Sequence, residues 1–389
     1  MELACFNIDY GYLEGVVRGY RSTFLSPMDY KKMKTAENLD DLRAILESTD
    51  YGSAFYNERG TINTAMITKR CNERLAEEFE YLRQQSDGKL ALFLDFIARE
   101  KMIDNIIALL QGASNKKTPE ELMDRIDPIG WFRGIEAIVN SDMCQSIEEL
   151  YRIILCDTPI GEALRAKPIS FVGPYLERFL PSFSIGKKQS FLESGTISLL
   201  KSFLKKAWLD DFYNFSISLG GTTAEVMGHI LRCEADFRDL ALTFNSINLN
   251  QGTGQSQERN KLYSSIGYLY PYGTERLCKA FNDSTLQQAL APYPKYAKLY
   301  ENCKVPFSRT DSKMSKYDSN ERSMEDHFYA ESVKLFEECF ERQLHFGIFY
   351  AWLKLKQQEI RNITWIADMI LLKRPEKLSR VLPVFQPRV

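Results

Sequence analysis

The sequence contains no C-x-x-C, no H-E-x-x-H and no G-x-x-x-x-G-K-[ST], and only three histidines in 389 residues. Each absence excludes a class of chemistry. The closest two of the eight cysteines are Cys144 and Cys156. Zinc knuckles, thioredoxin-like redox pairs and haem attachment therefore have no sequence basis. Scattered thiols of this kind read as small apolar packing residues in a reducing compartment. His229, His327 and His345 include no i, i+4 pair, so neither a zinc helix nor a histidine-based triad is indicated. Gly186-Lys187 lacks both the upstream glycine and the following hydroxyl of a phosphate loop. Gly252-Thr253-Gly254 lacks a third glycine and follows a helical pattern. Charge of one sign is also missing: 50 Lys and Arg stand against 52 Asp and Glu, for a net charge of -2. Such balance gives no global attraction to nucleic acid. The longest charge-free run, Leu240 to Gln257, is interrupted by Asn, Gln and Gly and cannot span a bilayer. Met1 to Tyr10 has no basic region followed by an apolar stretch, so it does not read as a secretory signal. Alternating strand patterns closed by Asn-Gly or Asp-Gly turns are nearly absent.

What is present is helical. Hydrophobic residues make up 44% and charged residues 26%, enough for a large core. Ile103, Ile106, Ile107 and Leu110 fall at i, i+3, i+4 and i+7, one face of a helix. The chain reads as all-α. Two elements recur. Asn38 to Tyr51, Ser146 to Pro159 and Ser284 to Pro294 each read as a short helix, opened by a capping residue and closed by a breaker. Met102 to Ile106, Asp236 to Leu240 and Glu359 to Ile363 overlay with coincident apolar faces. The order is kept, short helix before long helix, which predicts three diverged helical lobes near 37–112, 145–250 and 283–372 of a single subunit. Residues 167–188, 249–257 and 303–326 read as loops.

The chemistry-bearing candidates are few. Asp40-Asp41 and Asp210-Asp211 would suit magnesium on a helix only with a third carboxylate four residues after the first, and Ala44 and Asn214 stand there. A magnesium-dependent enzyme using Asp210 and Asp211 is thus a secondary reading, as is a general helical adaptor. Gly220-Gly221-Thr222-Thr223 reads as a glycine helix stop followed by a threonine N-cap. Glu14–Arg18 and Glu234–Arg238 are i, i+4 pairs in the favourable order. They read as surface pairs before buried anchors. Aromatics such as Phe212, Tyr213, Phe215, Phe346, Phe349, Tyr350 and Trp352 lie at core spacing, with some members suited to protein contacts. The residues themselves indicate a non-catalytic interaction protein with no cofactor and no metal.

Several ordered motifs then carry a resemblance: Tyr12-Leu13-Glu14-Gly15-Val16-Val17-Arg18-Gly19, Leu46 to Gly52, Phe93 to Ile97 with Met102 to Ile106, Asp157-Thr158-Pro159, Leu219 to Ala224 with Glu234-Ala235-Asp236, and His345 to Lys356 with Arg361-Asn362-Ile363. From about Phe6 to about Pro383 the chain resembles the subunit d family of eukaryotic vacuolar-type proton ATPases. The resemblance implies an all-α protein of three lobes arranged as a funnel, without an active site. It implies a peripheral subunit that caps the proteolipid c-ring on the cytosolic face of vacuolar, lysosomal or endosomal membranes. It further implies that the central shaft (subunits D and F) seats in the funnel, so that rotation driven by ATP moves protons. Tyr12, Glu14, Arg18, Gly220, Gly221, Thr222, Thr223, Glu234, Arg238, Arg361 and Asn362 match its motifs and become candidates for interface contacts or lobe packing. Residues 165–188 look like an insertion relative to the family, with aromatics that would suit a further subunit contact.

Overall fold

The computed structural model describes residues 2–56, 60, 62–115, 117–132, 135, 194–248, 256–303 and 324–385. The insertion at 165–188, the helix expected from Ser146 and the Asp157-Thr158-Pro159 motif lie outside them, as do 249–255 and 304–323 of the expected loops. Among the described residues every regular element is a helix and none is a strand, as the periodicity predicts. In chain order they are α1 (Glu2–Gly19), α2 (Pro27–Lys34), α3 (Leu39–Glu47), α4 (Gly52–Phe55), α5 (Thr64–Gln84), α6 (Gly88–Ser114), α7 (Pro119–Met123) and α8 (Ser194–Ser218). There follow α9 (Gly221–Asn248), α10 (Ser256–Leu262), α11 (Tyr272–Cys278), α12 (Asp283–Leu290), α13 (Pro294–Cys303), α14 (Met324–Cys339) and α15 (Gly347–Leu371). Two compact units divide the chain: residues 1–78, 220–260 and 265–389 form one, and residues 79–219 with 261–264 the other.

The second of these units is built on α6, along which α8 packs. The expected stripe of Ile103, Ile106, Ile107 and Leu110 is buried, and so are Leu94, Met102 and Leu109 on other sides of the helix. Buried apolar residues on several sides mark a helix packed from more than one direction, although Leu92 on it is exposed. Phe212 of α8 lies tilted against Phe93, with ring centroids 5.2 Å apart, and stacks on Phe96 at 5.4 Å. The Trp208 indole N–H donates to the Phe96 carbonyl at 2.7 Å, which satisfies the polar end of a buried ring. Lys205 lays its stem over this seam. Its ammonium donates to Asp104 at 2.7 Å and to the Glu100 carbonyl at 3.1 Å. Arg83 grips Asp95 with two hydrogen bonds of 2.6 and 3.0 Å.

An asparagine then ties down the chain after α7. Asn105 accepts from the Asp127 N–H at 2.8 Å and donates to the Asp127 carbonyl at 3.0 Å, so one amide reads both backbone groups of one residue. Gly130 lies so close behind that a Cβ there would meet the Lys101 carbonyl carbon at 2.5 Å and Asn105 Nδ2 at 2.6 Å. Backbone cannot yield as a flexible side chain does. Gly130→Ala is therefore expected to destabilise the protein by about 2 kcal/mol or more, through overpacking and loss of the Asn105 bonds. Urea denaturation of the two proteins checks it; an unchanged midpoint would refute the tight approach.

The larger unit is organised on α15, against which α1, α3, α9 and α14 pack. Phe349, Tyr350, Ala351, Trp352 and Leu353 are all buried on it. Short helices around it start as their capping residues dictate. Ser26 and Asp29 form a reciprocal capping box before α2, and Asn38 caps α3 by accepting from Asp41 N–H at 2.8 Å. The helix expected to open at Ser284 opens earlier. Asn282 is its cap, accepting from Thr285 N–H at 2.8 Å while the Thr285 hydroxyl reaches back. Asn at the cap with Thr three residues on outcompetes a serine placed inside the first turn. Cys71, Cys233 and Cys339 are buried packing residues, as scattered thiols predict. Burial pushes the Cys233 thiol up to about 11 and the Cys339 thiol up to about 12, so both stay protonated.

Candidate interaction and bracing sites

Several candidates distant in sequence converge on the turn between α14 and α15. Glu14 and Arg18 are one turn apart on α1, with the guanidinium 2.7 Å from the carboxylate. A surface pair is the weaker reading once packing is considered: Glu14 is only 4% exposed. Its Oε1 also accepts from the Leu344 N–H at 2.9 Å. Arg18 donates to the Phe340 carbonyl at 3.0 Å and to the Arg342 carbonyl. The pair is thus a charged clamp on the backbone of 340–344. It holds Leu344 at φ 61°, a left-handed conformation that a branched side chain takes only when its surroundings impose it.

The same turn is held from α9. Gly220, at φ 73°, ends the preceding helix, and its carbonyl accepts the Ala224 N–H at 3.1 Å to open α9. The glycine stop is as expected, whereas the threonine N-cap is not. Gly220 itself stands at the cap position, and Gly221, at φ 54°, is already the first helical residue. Thr223 is left to face inward. It is buried, and its hydroxyl accepts the Phe346 N–H at 3.0 Å. Thr222 beside it is half-buried. His345 is fully buried, with Nε2 3.1 Å from the Cys339 carbonyl. Burial lowers its pKa, so the ring is neutral and Nε2 carries the proton.

Further along α15 stands a series of polar groups, buried at Tyr350, Lys356, Gln358, Glu359 and Asn362 and exposed at Arg361. The Tyr350 hydroxyl donates to both Glu234 oxygens, at 2.9 and 2.8 Å. Arg238, one turn beyond Glu234 on α9, is half-buried. Lys356 and Glu359 are 2% and 0% exposed and 3.3 Å apart. Glu359 accepts from the Leu25 N–H at 2.6 Å and the Tyr51 hydroxyl at 2.9 Å, while Lys356 donates to the Thr23 carbonyl at 3.0 Å. The Arg361 guanidinium lies 3.4 Å over the Tyr329 ring and donates to Gln358 at 2.9 Å. Asn362 accepts the Leu382 N–H at 3.1 Å and donates to the Leu382 carbonyl at 2.7 Å and the Tyr30 hydroxyl at 3.1 Å.

This two-way grip on Leu382 repeats what Asn105 does to Asp127. Both asparagines hold the residue just before a proline, Pro128 in one case and Pro383 in the other. The overlay of Met102–Ile106 on Glu359–Ile363 aligns Asn105 with Asn362, and the second copy has Asp239 there. Asp236, aligned with Glu359, is likewise a fully buried carboxylate. It accepts the Tyr268 and Leu269 N–H groups at 3.1 and 3.0 Å and the Tyr296 hydroxyl. Sequence reasoning selected Asn362 but missed Asn105, Asp236, Tyr296, Lys356, Glu359 and Tyr51. The overlay held the signal for three of them, since polar residues recurred at fixed positions inside apolar faces.

Burial raises the Asp236 pKa above the ordinary aspartate range, against the opposing hydrogen bonds. The sign follows. The folded state keeps a proton that the unfolded state has released, so this contribution to stability is present at low pH. It is lost as pH rises through the raised pKa. Relative to Asp236→Asn, the wild type is expected to lose stability as pH is raised from about 4. Urea midpoints of both proteins across pH 4–7 check this; parallel curves would refute it.

The remaining candidates fall elsewhere. Tyr12 is 69% exposed, on the same face of α1 as Ile8, which is 81% exposed. Asp210 accepts the Ser264 hydroxyl at 3.1 Å. Among the described residues no three of His, Cys, Asp and Glu gather as metal ligands would. None of the described helices is long and apolar enough to cross a membrane.

Comparison with known proteins agrees over almost the whole length. The profile of the family described as ATP synthase (C/AC39) subunit matches residues 13–381. A Dictyostelium discoideum protein named V-type proton ATPase subunit d is 34% identical over 98% of this chain and 97% of its own. The Arabidopsis thaliana V-type proton ATPase subunit d2 is 34% identical over 97% of both chains. The Saccharomyces cerevisiae V-type proton ATPase subunit d is 31% identical over 99% of this chain and 100% of its own.

Proposed function

Because the chain belongs to the ATP synthase (C/AC39) subunit family, we propose that it is the coupling subunit of a vacuolar-type proton ATPase, with no catalytic centre of its own. It caps the proteolipid ring on the cytosolic side and receives the shaft subunits D and F. It thereby passes rotation driven by ATP hydrolysis to the proton-carrying ring of an acidic organelle. The observation that carries this reading is the match to proteins named subunit d over 98% and 99% of this chain and 97% and 100% of theirs. The mechanics support it. A part that transmits torque must not shear, and charged clamps between helices and connecting turns resist shear in a way that apolar contacts alone do not.

The three-lobe organisation, near 37–112, 145–250 and 283–372, belongs to the same proposal. Its support is the Asn105 and Asn362 grip, made in each case from the matching position of a long helix on an X–Pro residue about twenty residues downstream. Within this reading Glu14, Arg18, Gly220, Gly221, Thr222, Thr223, Glu234, Arg238, Arg361 and Asn362 brace the fold. Tyr12, with Ile8 beside it, is offered to a partner subunit.

The test is affinity capture of the tagged chain from detergent-solubilised membranes, with bound subunits identified by mass. Co-recovery of proteolipid ring and shaft subunits at fixed ratios is the expected outcome. Recovery of the chain alone, while the pump stays intact, would overturn the reading. A metal-dependent activity abolished by Asp210→Ala would replace it with the enzyme alternative.

A further inference from the structure

The last turn of α15 ends in an exposed apolar surface. Leu371 and Leu372 are 57% and 59% exposed, at the end of a helix that is otherwise largely covered. The helix stops there because Lys373 turns left-handed, at φ 52°. Its N–H donates to the Ile370 carbonyl at 3.1 Å and the Arg374 N–H to the Met369 carbonyl at 3.0 Å. These bonds fix the two leucines at a corner of the chain. Glycine is the residue that takes this conformation without strain. A lysine there keeps a cation beside the leucines. Arg374 follows directly and Lys377 one turn on. The nearby acids are Asp368, half-buried one turn back, and Glu376. Lys373, Arg374 and Lys377 form no ion pair among the described residues.

We propose that Leu371 and Leu372, flanked by Lys373, Arg374 and Lys377, dock on the surface of an anionic lipid bilayer. The leucines enter the boundary of the acyl chains while the cations meet headgroup phosphates. An acidic protein surface would also attract the cations. The leucines decide between the two. More than half of each stands in water at a corner, a geometry that inserts into a soft interface, whereas protein interfaces favour flatter, aromatic-rich cores. This inference does not rest on the coupling role.

The experiment is co-sedimentation of the full chain with vesicles, at about 50 mM salt. One set holds phosphatidylcholine alone and the other includes a third phosphatidylserine. Binding is expected to the phosphatidylserine vesicles and to weaken with added salt. Leu371→Ser with Leu372→Ser is expected to lower partitioning about ten-fold or more. Replacing Lys373, Arg374 and Lys377 by Gln is expected to lower it about five-fold per charge. Leu371, Leu372, Lys373 and Arg374 are exposed and Lys377 is half-buried in the turn that follows the helix, and unchanged thermal unfolding of each variant confirms that folding is intact. Three results would overturn the proposal. The first is wild type left in the supernatant with both vesicle sets. The second is variants that sediment like wild type. The third is displacement of the chain by polyglutamate while the leucine variant binds normally, which would assign the surface to an acidic protein. No pump subunit is present in this assay, so its failure and failure of the coupling role are separate outcomes.

Discussion

Glu359→Ala is expected to lower the unfolding free energy by about 3–5 kcal/mol, the cost of leaving a buried charge without its partner. The carboxylate is fully buried and serves three donors from three places. They are Lys356 on its own helix, the Leu25 N–H after α1, and the Tyr51 hydroxyl before α4. Its removal strands all three. Lys356 keeps the Thr23 carbonyl and the Phe24 ring, 4.6 Å away, and the more distant Glu78, but no carboxylate at ion-pair distance among the described residues. The double variant Lys356→Met with Glu359→Leu separates charge from hydrogen bonding. Replacing a buried ion pair by apolar groups of similar size is often neutral or stabilising. Here the Leu25 and Tyr51 donors still lose their acceptor, so the double variant is expected to recover part of the loss and not all of it. Chemical denaturation of both single variants and the double variant gives the coupling directly. A loss below about 1 kcal/mol in Glu359→Ala would show that this site is not a brace.

Glu14→Ala is expected to cost about 3 kcal/mol and to loosen one turn selectively. It removes the acceptor of the Leu344 N–H and the countercharge of Arg18 together. Leu344 then has less to hold it left-handed, and the connection from α14 into α15 opens more often. Amide exchange at 340–346 is expected to accelerate by about a hundredfold, while exchange in α6 and α8 stays as in wild type. Arg18→Lys would not substitute for the wild type, since one ammonium cannot span the Phe340 and Arg342 carbonyls and Glu14 at once. Uniform acceleration across the chain would argue for global destabilisation instead, against a local clamp.

The helices were legible because their signals are local. Ile103, Ile106, Ile107 and Leu110 declare a face by spacing alone, and Asn38 declares a start by its side chain. Gly220 was legible as a stop for the same reason: only its φ of 73° matters, and glycine permits it. The start at Asn282 was misread by two residues because Ser284 and Asn282 both suit a cap, and only the Thr285 hydroxyl chooses between them. The threonine N-cap failed for a different reason, seen at Thr223. Its partner is Phe346, over a hundred residues away, and no local pattern points there. Glu14–Arg18 shows the same limit. Spacing gives the pair, but only packing against 340–344 makes it buried.

The amino-acid sequence by itself determined the all-helical class, the absence of any nucleotide, zinc or haem motif, and the family, because each is written in spacing, residue type or motif order. The tertiary structure decided which polar residues hold the chain together. Taken singly, Asp236, Lys356, Glu359 and Asn105 look like ordinary helix-surface residues, and only the overlay of the long helices hints that three of them recur inside apolar faces. Their burial, and so their energetic weight, is set by which distant backbone groups reach them, and the cost of leaving such groups unpaired exists only inside a packed core.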